Sequence, residues 1–480
     1  MTIRIPRSDQ FGGYFAVLVF VILTAGAILA HGSIVLNYAF PALSMCLAFF
    51  LFVAYRHVYV AFVWWIWLFA PFVRRLVDYH TSYHKVSPII LSPVLVTLVA
   101  IIPLLGNPRF LLKRSMLPFS LISLVYTEAL FVGILTNGVP ALFDFANSIA
   151  PLAFGMFLMQ DNKHFTENKD SLVFAIMLGL PLISLYGMYQ FYNFPPWDLY
   201  WLKESNFGSA GNGLAEQTRL FGTLNAPGPY SQVLMASLVF TLVVKGPLKM
   251  IGGGVGFPAF GLSLVRASWG GWLFSALYVF SRIRGKARSR LVFFGMVAAI
   301  IAIPLVAVGP VANILSKRFA SFSNLQQDNS FRERQSLYQN YTLTAISEPV
   351  GIGFGGVGQS VKINNNAAGG VAIDSGVLLI PYEFGWVWGG VFTWALFSIA
   401  LRVLSFTIRS SDGISISGAG IYFSMLLLTL GTYVFSGVVG LIMWIAVALA
   451  LGPVKALNLK EGYAGTAGSI IARSAVIPAE

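Results

Sequence analysis

The side chains best equipped for chemistry in this chain are a few arginines and fewer carboxylates. Arg219 and Arg266 stand beside apolar runs, while Arg318, Arg332 and Arg334 lie in the longest polar interval, 310–374. An arginine at the centre of a bilayer costs at least about 2.5 kcal/mol, so each one needs a reason. A guanidinium cannot lose its charge and grips phosphate with a planar fork. Singly, Arg219 reads as a solvated loop residue, Arg266 as a snorkelling turn residue and the other three as the polar face of a loop helix. Together on one side they exceed what orientation rules require, and a diphosphate ligand accounts for them most simply. On a helix, Arg332 is turned away from Arg334 by its spacing of two.

Asp374 stands at the mouth of the next apolar run, where it reads as a proton acceptor or ligand, or as a helix N-cap. Glu383, deeper in that run beside Pro381, reads as a structural partner for an arginine, and Glu128 as a similar case. Nine residues of helix turn through about 900° and rise about 13 Å, so Asp374 and Glu383 do not form one carboxylate pair. Arg74 and Arg75 fall in a basic loop on the outer side, held there for a purpose such as binding phosphate, unless the run before them is re-entrant. His80 and His84 read as a solvated face, no histidine spacing implies a metal, and Cys46 is the lone cysteine. The run Gly351-Ile-Gly-Phe-Gly355 lacks the βαβ context of a dinucleotide fingerprint. No cofactor is implied.

The elements that must position these residues are membrane helices. Of the 480 residues 57% are hydrophobic and only 10% charged, and the mean hydropathy is +0.75. Soluble domains carry about 25% charged residues. Apolar runs of about 17 to 25 residues recur, and without water to pair the backbone they must be helices. The expected fold is an all-α integral membrane protein with about 12–14 transmembrane helices and a large outer (periplasmic) loop bearing short amphipathic helices. The expected divisions are membrane helices over 1–193, a first outer loop over 194–225, and membrane helices with a central Ser-x-x-Arg segment over 226–309. The large outer loop follows over 310–374, then membrane helices over 375–456 and a cytoplasmic tail over 457–480. The basic start Met1–Arg7 leads into a retained first helix. The net charge of +13 sits in short inter-helix loops, which indicates topology and a lipid-bilayer setting rather than nucleic-acid binding. Ser330 to Ser347 reads as an amphipathic helix, with Leu337, Tyr338, Tyr341 and Ala345 at helical spacing.

Three segments together resemble the O-antigen ligase/polymerase superfamily, bacterial multi-pass enzymes that join or polymerise lipid-linked polysaccharides. The first is Arg219-Leu-Phe-Gly-Thr-Leu-Asn-Ala-Pro227, and the second Ser263-x-x-Arg266-x-x-x-Gly270. The third runs from Arg334-x-x-x-Tyr338 through Ser347-Glu-Pro-Val-Gly-Ile-Gly-Phe-Gly355 to Asp374 and Glu383-Phe-Gly-Trp-Val-Trp-Gly389. The match covers about residues 215–400. The resemblance implies a bacterial inner-membrane, metal-independent glycosyltransferase. Its arginines would hold an undecaprenyl-diphosphate-linked oligosaccharide, with a co-polymerase as a further partner. In the ligase branch a histidine stands just before the Glu-x-Gly helix. This chain has Asp374 there, which points to a polymerase for O-antigen, capsule or exopolysaccharide, with Asp374 accepting the hydroxyl proton. Arg219, Arg266 and Arg334 would bind diphosphate or sugar, with Arg318 and Arg332 as lesser contributors. A ligase is the nearest alternative. A transporter of an anion or lipid-linked sugar is the alternative of another class, and it would show inverted repeats and broken helices.

Overall fold

A computed structural model describes residues 11–283, 285, 288–289, 329–358 and 375–453. Among these residues the fold is all helical, without β-strands. Seven long helices come first: α1 (Phe11–Leu29), α2 (Ser33–Ala54), α3 (Arg56–His80), α4 (Pro88–Leu105, broken by 3-10 turns), α5 (Leu117–Asn137), α6 (Pro140–Gln160) and α7 (Phe165–Asn193). A short helix α8 (Pro196–Ser205) then precedes α9 (Pro227–Thr241), α10 (Pro247–Leu262) and α11 (Arg266–Arg282). After a gap in the described residues come α12 (Asn329–Ser347), α13 (Gly376–Ile408), α14 (Gly413–Leu428) and α15 (Gly437–Leu451). The last part of the membrane helices expected over 226–309, the apolar run 291–309, lies outside the described residues.

Among the described residues eight helices, α1 to α7 and α13, are long and apolar enough to cross a membrane, and α14 and α15 are shorter apolar helices. The short ones have a physical reason. At 1.5 Å per residue, a 15-residue helix spans about 22 Å, less than a hydrocarbon core of about 30 Å. Helix α15 carries no charged residue and is buried along almost its whole length, packed between α6, α14, α13 and α9. A helix surrounded by protein need not match the bilayer, and non-helical backbone at membrane depth is tolerated where it lines a cavity. The segment before α15, from Thr432 to Ser436, does line one.

The two ends of the bundle differ in charge. Arg56 pairs with Asp161 at 3.3 Å, Lys169 with Asp412 at 3.4 Å, and Arg402 donates to the carbonyls of Arg114 and Ser115. These contacts gather the basic loops at one end. At the opposite end the segments 194–226 and 349–358 fold back onto the helices, held by polar contacts described below.

The first outer loop is not a plain loop, because α8 forms within it and packs on α3. Helix α3 also runs further than hydropathy indicates. Arg74 and Arg75 are helical residues, buried at its end, and not members of an exposed basic loop. Helix α12 appears where the periodicity predicts it and packs along the start of α13.

Candidate functional site

A cavity of about 380 Å³ opens at the end away from the basic loops. That volume falls within the range of small-molecule sites, roughly 300–1,000 Å³. Its walls come from α3 (Trp67, Pro71), the start of α6 (Asp144, Asn147, Ser148), and the segment leading into α9 (Leu224, Asn225, Ala226). The Gly-rich run (Phe354, Val357, Gly358), Glu383 of α13 and Tyr433 close it. Several buried polar atoms of its lining residues lack a hydrogen-bond partner among the described residues. Glu383 is 4% exposed, and its Oε2 has no hydrogen-bond partner among the described residues. The same holds for buried Asn225 Oδ1. A buried polar atom left unpaired costs about 1–3 kcal/mol, so such atoms call for an explanation.

Helix α13 is broken beside the cavity, two residues after Glu383. Gly385 has φ 67° and ψ 175°, which no helix accommodates. The break frees backbone groups that must find other partners. The Gly-rich run supplies them: Ile352 N donates to Tyr382 O at 3.1 Å, Gly353 N to Glu383 O at 2.9 Å, and Val387 N to Pro349 O at 3.3 Å. The run is clamped from its other side by α5 and α6. Phe354 N donates to Ala129 O, Asn137 Nδ2 to the carbonyls of Ile352 and Phe354, and Gly355 N to Asp144 Oδ2 at 3.0 Å. Gly351 and Gly353 have positive φ, and a Cβ there would strike the backbone of Gly385 or Gly133. The glycines let three backbones meet. The rings of Tyr126, Phe354, Phe384 and Phe392 pack together at centroid distances of 5.1 to 6.0 Å and anchor the run to α5 and α13.

A second polar centre fixes the Arg219 segment. Arg75 Nε lies 3.3 Å from Asp198 Oδ1, both side chains fully buried. Its other nitrogens donate to the carbonyls of Leu224, at 3.0 Å, and Gly222. Asp198 Oδ2 accepts from Tyr186 at 2.7 Å and from Gln190 at 2.5 Å. Gln190 Oε1 in turn accepts from Phe221 N and Gly222 N. Burial pushes the Asp198 carboxyl above its ordinary value, and the Arg75 charge opposes that rise. This centre holds the segment 221–224 in place and so sets the position of Asn225 in the cavity wall.

The sequence-predicted residues divide accordingly. Arg219 donates to Ser209 O at 3.1 Å and to Leu264 O at 3.4 Å, which joins the first resembling segment to the turn before Arg266. Arg266 is the first residue of α11. Arg332 and Arg334 lie on α12, one turn after which Tyr338 meets Ser375 Oγ at 2.7 Å. Asp374, the neighbour of Ser375, lies outside the described residues, as does Arg318. No arginine is among the described residues lining the cavity. Arg74 pairs with Asp78 at 3.2 Å and donates to His84 O, so like Arg75 it engages protein groups. Glu383, expected to partner an arginine, lines the cavity, and no arginine whose side chain is described pairs with it. Glu128 Oε2 is likewise buried without a hydrogen-bond partner among the described residues.

Sequence reasoning passed over Asp144, Asn147, Asn225 and Tyr433. Asp144 carried a usable signal, since an ionisable residue inside an apolar run is a functional candidate by default, and Asn147 a weaker one as a polar residue in the same run. Asn225 sat within the quoted Asn-Ala-Pro, and Tyr433 carried no signal at all. No protein-family model matches the chain, and no curated protein matches it.

Proposed function

We propose that this chain is a polymerase of lipid-linked polysaccharide in the bacterial inner membrane. It passes a growing glycan from undecaprenyl diphosphate onto the next lipid-linked repeat unit at the outer face. One observation carries the reading. The first two resembling segments, far apart in sequence, meet where Arg219 touches the turn before Arg266, and within the third the helix bearing Arg334 packs along the start of α13. Residues of the first and third segments border a single cavity. Adding α9 to α11, α14, α15 and the run 291–309 to the eight long helices, the chain crosses about fourteen times. The basic end faces the cytoplasm, and the cavity then opens to the outer side beneath the large loop.

The acceptor hydroxyl oxygen attacks the anomeric carbon of the donor while the bond to the diphosphate breaks. The lipid diphosphate leaves with the bonding electrons, and arginines stabilise the charge that develops on it. Asp374 takes the hydroxyl proton, as a positioned base must. Deleting the gene leaves cells with lipid-linked single repeats and no long polymer, and Asp374→Asn reproduces that state with the protein still in the membrane. Polymer of unchanged length in either strain refutes the proposal.

One observation favours a transporter. Helix α13 is broken at Gly385 beside buried Glu383, and broken helices with polar residues at membrane depth are a transporter device. A transporter moves its cargo without lengthening it, so product length separates the two.

A further inference from the structure

We infer that the cavity between α6, α13 and the segment leading into α9 is a subsite for one sugar ring, held through its hydroxyl groups by Glu383, Asn225, Ser148 and Tyr433. The inference rests on the polymerase reading for the source of that ring, the glycan of a lipid-linked repeat.

The four residues come from four separate segments: α13, the entry to α9, α6 and the stretch before α15. All of them line the cavity. Each carries a buried side-chain oxygen with no hydrogen-bond partner among the described residues: Glu383 Oε2, Asn225 Oδ1, Ser148 Oγ and Tyr433 Oη. Folded proteins pair most of their buried polar atoms, so those left unpaired call for a partner. Unpaired atoms occur elsewhere in the bundle too. What sets these four apart is a space of ligand size that borders all of their residues.

The lining also names the class of ligand. Trp67, Phe143 and Phe354 border the same space, and the Trp67 ring is fixed by donation from its Nε1 to Thr97 Oγ1 at 2.8 Å. A sugar ring carries hydroxyls around its rim and C–H groups on its faces, so it suits aromatic planes set among hydrogen-bonding oxygens. A lipid tail would cover the aromatic rings and leave the oxygens unpaired. The match holds whether or not Glu383 carries its proton, because a hydroxyl donates to a carboxylate and accepts from a carboxylic acid. The amide of Asn225 and the hydroxyls of Ser148 and Tyr433 are served in the same two ways.

The test uses the full chain in lipid nanodiscs and the methyl pyranosides of glucose, galactose, mannose and N-acetylglucosamine. Tetrahydropyran, the same ring without hydroxyls, is the control, and binding is titrated by saturation-transfer NMR. At least one glycoside binds, and tetrahydropyran does not. Glu383→Leu and Asn225→Leu each weaken that binding about ten-fold, the loss that a hydrogen bond or two supplies. Glu383→Gln keeps a donor and an acceptor and stays within about three-fold of wild type. Glu383→Leu also leaves the thermal midpoint of the ligand-free chain no lower, because it removes an unpaired buried atom; a structural carboxyl would show a fall. Polyprenyl diphosphate without a sugar binds wild type and variants alike. A loss of that binding to match the glycoside loss assigns the cavity to the diphosphate and overturns the inference. So does the failure of every glycoside to bind, equal binding of tetrahydropyran, or binding unmoved by both leucine variants. A loss in Glu383→Gln as deep as in Glu383→Leu, or a lowered midpoint in Glu383→Leu, overturns the role given to Glu383. If the polymerase reading alone is wrong, lipid-linked repeats stay single while glycoside binding and its dependence on these residues persist.

Discussion

Arg75 and Asp198 show how the same residue types serve structure in one place and chemistry in another. The pair is fully buried, and every remaining hydrogen-bonding group around it belongs to the protein. Removing one partner of such a pair leaves an uncompensated buried charge and costs about 3–5 kcal/mol, whereas replacing both with apolar side chains is often close to neutral. Asp198→Leu therefore lowers the midpoint of thermal unfolding in detergent sharply. The double variant Arg75→Met, Asp198→Leu recovers most of the loss. Equal losses in both would mean that the pair contributes nothing as a pair. These positions also show what one sequence can hide. The hydrophobic run of α3 ends near Phe72, so Arg74 and Arg75 read as loop residues. Arg74 meets Asp78 one turn further on, but the partner of Arg75, Asp198, lies more than a hundred positions away and no local pattern connects the two. Glu383 was legible as a buried acid, but its surroundings depend on a helix break that spacing alone does not reveal.

At the scale of elements, the central device is the docking of the Gly-rich run into the break of α13. Gly353 has φ 70°, and a Cβ there would meet the backbone of Gly133. A left-handed conformation alone costs a non-glycine residue of order 1–3 kcal/mol, and here the backbone contact adds to it. Gly353→Ala thus loosens the run. Its amides exchange hydrogen faster, protease cleavage near Val350 rises, and thermal stability falls. Gly253→Ala in α10 meets nothing within 4 Å and should leave all three unchanged, since alanine is the better helix former. Matching behaviour of the two variants would remove the docking role of the run. The sequence marks this run as turn-rich and rules out a nucleotide fingerprint. The partner it would find was invisible, because the break at Gly385 and the close approach at Gly133 are tertiary facts. The helices themselves were plainly legible, since an apolar run in lipid has no alternative to the helix.

For the whole molecule, the proposed activity depends on which end faces which side of the membrane. In a Cys46→Ser background, a cysteine placed at Gln217 reacts with a membrane-impermeant maleimide in spheroplasts, and one placed at Lys163 reacts only after permeabilisation. The reverse pattern would put the cavity on the cytoplasmic side and remove the proposed site from its substrate. The claim that stands above this is enzymatic and is tested most directly without a cell. The purified full-length chain in nanodiscs, supplied only with lipid-linked repeat units, has no gradient to exploit and no partner to borrow activity from. A polymerase converts the single repeats into a ladder of lipid-linked multimers with release of lipid diphosphate, and Asp374→Asn abolishes the ladder. Single repeats that remain single, with the wild-type chain folded and binding them, contradict the proposal.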